Sequence, residues 1–161
     1  MSGGKVLRIE IAKQSDCVAN MRCKRDDGSL TWQKHTKHAV HFVHHDLTHF
    51  AVETTLGYSR GFFGLLAEGW DVDDTTGKGS RGPLPPEALE VERFVGIFDT
   101  ERMSGTLWTL DEFNAYAPRA LTQEELLEIR RLRGTLFRQW SGVEPGRTLQ
   151  LQFAIRKNEP I

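Results

Sequence analysis

The chain has 161 residues and 18.3 kDa, with 21 Lys+Arg against 22 Asp+Glu, a formal charge of -1 and a pI of about 6.6. That length suits one domain, residues 1–161, able to close a core without disulfides or a structural metal. Hydrophobic residues at 39% and charged residues at 27% exclude a wholly disordered chain, and the near-neutral balance argues against a general nucleic-acid binder.

No apolar run approaches the roughly 18 residues that cross a bilayer, and charged residues follow Met1–Lys5 at once with no secretory pattern. The expectation is a cytoplasmic protein with neither membrane nor nucleic acid as partner. Residues 5–13 alternate, with Leu7, Ile9, Ile11 and Lys13 on one face and Val6, Arg8, Glu10 and Ala12 on the other, which is a strand pattern. Residues 17–25, with Val18, Met21 and Cys23, read as a second strand. Asp27-Gly28 is a hairpin signal, and Leu30 to Lys34 is the returning strand. Cys17 and Cys23, six apart on one strand, are too distant for a disulfide and read as two small hydrophobes in a reducing cytoplasm.

The period changes near residue 43. Val43, Leu47, Phe50, Ala51 and Thr54 follow helical spacing, and Gly57 supplies the left-handed stop. Ser59 caps a second short helix through Phe62, Phe63, Leu65, Leu66 and Ala67. Residues 71–86 are rich in Gly, Pro and Asp and read as a lid or a disordered loop. They lack the spacing of a calcium loop or of a phosphate loop. Pro86 opens a helix from Glu87 to about Thr100. Thr109 to Glu112 opens a short helix to Tyr116, and the capping box Thr122–Glu125 opens the longest one, ending at Gly142. Its arginines, Arg130, Arg131, Arg133 and Arg138, read as a solvated face. Arg147 to Ile155 alternates again as a final strand. The fold class is α+β: an antiparallel sheet of about four strands, three N-terminal and one C-terminal, with four to five helices packed on one face.

All six histidines lie between residues 35 and 49. His35 and His38 read as a solvated linker. His45 and His49, four apart on a helix, lie about 40° apart around its axis, so both imidazoles can reach one tetrahedral zinc. This is the ligand spacing of His-Glu-x-x-His metalloproteases, with Asp46 in place of the Glu as the base that takes a proton from metal-bound water. Glu53 stands four residues beyond His49. It is either a ligand and catalytic carboxylate beside His49 or an outer acceptor from a histidine ring. A third ligand comes from elsewhere, with His41, His38, Glu68 and Asp71 as candidates.

The segment His45-Asp46-Leu47-Thr48-His49-Phe50-Ala51-Val52-Glu53, followed by Gly61-Phe62-Phe63-Gly64, resembles a set of small uncharacterised bacterial proteins carrying His-Asp-Leu-x-His-Phe-x-Val-Glu and then Gly-Phe-Phe/Trp-Gly. The match covers residues 44–70. It implies a bacterial source and a unit made of the two helices, and no substrate.

Two functions compete. One is a small metal-dependent hydrolase that binds zinc, or another divalent cation, at His45, His49 and Glu53 and acts on a small molecule or peptide, with Asp46 or Glu53 as base. The other is a non-enzymatic binding or regulatory domain, whose histidines and carboxylates form a structural hydrogen-bond network. A weaker reading takes His45-Asp46 as the doublet of a metal phosphohydrolase, which the N-terminal meander disfavours because those domains are all-helical.

Overall fold

The structure, a computed structural model, describes residues 5–155. Strands β1 (Val6–Lys13), β2 (Ala19–Lys24) and β3 (Leu30–His35) form the N-terminal meander, and β4 (Thr148–Ala154) returns to pair with β1. The sheet is antiparallel throughout, in the order β3-β2-β1-β4. Helices α1 (Ala39–Leu56), α2 (Phe62–Glu68), α3 (Pro86–Ser104), α4 (Leu110–Tyr116) and α5 (Gln123–Ser141) lie between β3 and β4 in sequence. The architecture is α+β, as the alternation at both ends of the chain predicts.

Strand periodicity sorts the side chains. Leu7, Ile9 and Ile11 of β1, Met21 and Cys23 of β2, and Phe153 of β4 are buried on the inner face, whereas Arg8, Glu10, Arg22 and Gln152 face out and are exposed. Phe50 of α1 and Phe63 of α2 each meet Phe153 with ring centroids 6.1 Å apart, which joins the helices to the sheet. Burying side chains of this size contributes roughly 1.5–3 kcal/mol apiece. Helix α1 packs between α3 and α5, so Asp46, His49 and Glu53 of its polar stripe are buried, while His41 and His45 stay partly exposed.

Several boundaries differ from the sequence reading. β2 begins at Ala19, so Cys17 lies exposed in the turn before it, and both thiols are free. Helix α1 begins at Ala39, four residues before Val43, because His38 takes a left-handed conformation (φ 54°) that turns the chain from β3 directly into the helix. His35 is not solvated. It shares the inward face of β3 with Thr31 and is buried, since residues four apart on a strand point the same way. Residues 71–86 are not structureless: Val72–Thr76 form a 3-10 helix, closed by reciprocal hydrogen bonds between Asp71 and Asp74. Arg25 fixes its entrance. Its guanidinium donates to the carbonyls of Leu66 and Trp70 and to the Asp71 carboxylate, tying the β2–β3 hairpin to the end of α2.

Candidate metal centre

Helices α1 and α3 run antiparallel and meet through a ladder of polar pairs. Histidines at a spacing of four recur along α1, and carboxylates seven apart, Glu92 and Asp99, share one face of α3. The Arg102 guanidinium donates to His41 Nδ1 at 3.0 Å. Asp99 Oδ2 stands 2.6 Å from His45 Nδ1, and Glu92 Oε1 stands 3.0 Å from His49 Nε2.

His45, His49 and Glu92 each offer a ligand atom, all within 4.8 Å of one another, which makes them a group able to hold a metal ion. Asp99 occupies Nδ1 of His45, so Nε2 is the nitrogen left for a cation. Glu53 likewise occupies Nδ1 of His49, its Oε2 lying 3.2 Å away. A carboxylate behind each imidazole orients the ring and raises its basicity as a ligand. Two imidazoles and one carboxylate are the protein ligands of zinc sites that keep an open position for water or substrate.

Glu53 is fully buried and its oxygens are spent. Oε2 also accepts from the Phe63 N–H and Oε1 from the Gly64 N–H, at 3.3 and 3.1 Å. Both N–H groups are unpaired donors of the first turn of α2, so Glu53 caps that helix from outside it. Two glycines admit the arrangement. A Cβ on Gly61 would lie 2.5 Å from Glu53 Cδ, and one on Gly64 would lie 2.2 Å from the Ser59 carbonyl oxygen. The segment Gly61-Phe62-Phe63-Gly64 is thus the receptor for the Glu53 carboxylate.

The charges follow from this placement. Burial opposes protonation of His49, but the hydrogen bonds and charges of Glu53 and Glu92 outweigh it and push its pKa up to about 10. Burial works against ionised Glu92 and Asp99 as well. The hydrogen bonds and charges of His49 and His45 respectively overcome it, so both carboxyls sit below their ordinary range.

A cavity of about 250 Å³ opens beside the group, lined by His45, His49, Glu92, Asp46, His35 and residues of the 3-10 helix. Asp46 is buried, with Oδ2 at 3.4 Å from His35 Nε2, and His35 stacks on Phe42 at 5.0 Å. Thus the structure brings His45, His49 and Asp46 to one cavity and places Glu53 behind His49, outside the group. The four residues considered as a third ligand all lie elsewhere. His38 is exposed ahead of α1, His41 accepts from Arg102, Glu68 pairs with Arg60, and Asp71 pairs with Arg25. Glu92 takes that position, and neither it nor Asp99 stands out in the sequence. Their spacing of seven on a helix, facing a helix with histidines at every fourth position, is the one signal that marks them.

No protein-family model, no curated protein and no solved structure matches the chain. Among the described residues no helix is long and apolar enough to cross a membrane.

Proposed function

We propose that this protein is a small metal-dependent hydrolase in which His45, His49 and Glu92 hold zinc or another divalent cation. The supporting observation is the pair of carboxylates, Asp99 and Glu53, placed on Nδ1 of the two histidines, with Glu92 among the remaining donors. A cation there supplies Lewis acidity and lowers the pKa of a water it carries. Asp46, on the wall of the same cavity, is the group we assign to take the proton, with His35 behind it. Glu53 is a positioning residue, because its three hydrogen bonds leave it no freedom to shuttle protons. Two free thiols fit a reducing compartment, the cytoplasm.

One observation favours the structural alternative. His49 has a carboxylate on each ring nitrogen, so the network is satisfied by protein groups alone. Metal analysis of protein purified without a histidine tag separates the two readings. The hydrolase reading expects a stoichiometric divalent cation, lost in His49→Ala and in Glu92→Ala. Protein that is purified without a cation, takes up none on dialysis against zinc, and melts identically with and without chelator overturns it.

A further inference from the structure

We infer that the candidate centre acts on a small molecule bearing a positive charge, an amine-bearing ester or amide whose ammonium group lies beside Asp73. This substrate class rests on the hydrolase reading.

Space sets the first limit. The cavity beside His45, His49 and Glu92 encloses about 250 Å³, below the roughly 300–1,000 Å³ of clefts that take drug-sized ligands. A substrate of a few carbons fits there and a peptide chain does not.

Charge sets the second. No lysine or arginine lines the cavity, although those are the side chains that grip a phosphate or a carboxylate. Asp46, Asp73 and Glu92 line it instead, and Glu53 and Asp99 stand behind its two histidines. Against these five carboxylates stands one guanidinium, that of Arg102, which donates to Asp99 and His41. With neutral imidazoles around it, a divalent cation leaves the surroundings negative by two charges. The other cations of the neighbourhood are paired or face elsewhere. Arg25 pairs with Asp71, Arg60 with Glu68 and Arg81 with Asp74. Lys34 is on β3, but strand alternation sends it to the outer face of the sheet, while Gln33 and His35 on either side of it turn inward and line the cavity.

Asp73 is the carboxylate left for a ligand. It is exposed on the 3-10 helix where that helix walls the cavity, and among the described residues no cation pairs with it. Phe42 and Phe62 line the same space, and among the described residues no lysine or arginine covers either ring. An ammonium group there is attracted by a carboxylate and by an aromatic face together. In the reaction a water oxygen joins the carbonyl carbon and the bond from that carbon to the leaving oxygen or nitrogen breaks. One water hydrogen passes by way of Asp46 to the leaving alcohol or amine, and the other stays on the new carboxyl group.

The test uses zinc-loaded protein and two series of matched size, the methyl esters and the primary amides of β-alanine, butyric acid and succinic acid, which carry a positive, no and a negative charge. p-Nitrophenyl acetate is run beside them, and zinc is measured in every sample. The β-alanyl compounds are expected to lead the butyryl ones about fivefold in kcat/KM, the scale of one partly exposed ion pair, and the succinyl ones to come last. Added sodium chloride is expected to shrink that lead in the unaltered protein. Asp73→Asn is expected to abolish most of it with zinc content and melting unchanged, and Asp73→Glu to keep it. Zinc-bound protein that turns over p-nitrophenyl acetate and shows no lead for the cationic compounds, or hydrolyses none of the six, overturns this inference and leaves the hydrolase reading standing. A lead that survives both salt and Asp73→Asn also overturns it, and the salt series decides alone if that variant fails to fold. Protein that turns over no probe at all, zinc-loaded or not, removes both.

Discussion

Nδ1 of His49 lies 3.2 Å from Oε2 of Glu53, one turn further along the same helix, and both side chains are buried. Glu53 thereby links the candidate centre to the first turn of α2. Glu53→Gln is expected to weaken zinc binding about 10–100-fold through loss of this orienting contact. It is also expected to destabilise the fold by about 1–3 kcal/mol, since an amide cannot accept from three donors with both its terminal atoms. Asp99→Asn is expected to weaken zinc binding comparably with a smaller loss of stability, because His45 is more exposed than His49. Competition titration against a zinc chelator measures the first effect and thermal melting the second. Unchanged zinc affinity in both variants removes the outer carboxylates from the site.

The glycines of α2 give a second, steric test. Gly61→Ala drives a methyl into Glu53 and is expected to lower both zinc affinity and melting temperature. Gly64→Ala collides with the Ser59 backbone and is expected to cost about 1–3 kcal/mol by overpacking. Gly96→Ala is the control. Gly96 is exposed within α3, and its added methyl meets nothing within 4 Å, so the variant is expected to be neutral or slightly stabilising. A Gly64→Ala variant that melts with the Gly96→Ala variant contradicts the packing described.

These relations explain what sequence reasoning reaches. Leu7, Ile9 and Ile11 announce their strand because a sheet with one buried face imposes a period of two. His45 and His49 announce themselves because a helix brings residues four apart together. Glu92 and Asp99 belong to another helix, and no local period records which helix packs against which. His35 lies just past the alternation that ends at Lys34, so its inward turn appears only once β3 is seen to run through it. The role of Glu53 is half local: its pairing with His49 follows from helical spacing, whereas its capping of α2 depends on the bend at Gly57.

Protonation of His49 carries its own sign. Its pKa in the folded protein is about 10, above the roughly 6.5 of an unfolded chain. The stabilisation from its two carboxylates is therefore fully present below about pH 6.5 and is lost as pH rises through 10. A cation at Nε2 must displace that proton, so zinc affinity is expected to climb across the same window. Calorimetric titration in two buffers of different ionisation enthalpy, at pH 7.5, counts the protons released. Release of none contradicts the assignment of His49 as a ligand.

The two thiols should behave as opposites. Cys17 is exposed in the turn ahead of β2, whereas Cys23 is fully buried on the inner face of the sheet. Burial pushes the Cys23 thiol up to about 12, the negative charge of Asp46 adding to the effect and Arg25 opposing it. Since thiolate is the reactive form, Cys23 is doubly protected at neutral pH. A disulfide reagent is expected to titrate one thiol quickly in the native protein and the second only on unfolding. Cys17→Ser is expected to abolish the fast reaction. Because Cys23 pairs with Thr31 of β3, the slow reaction also reports how often that edge strand detaches. Fast reaction of both thiols in the native protein would place Cys23 outside the core and undo the register on which β3 is built.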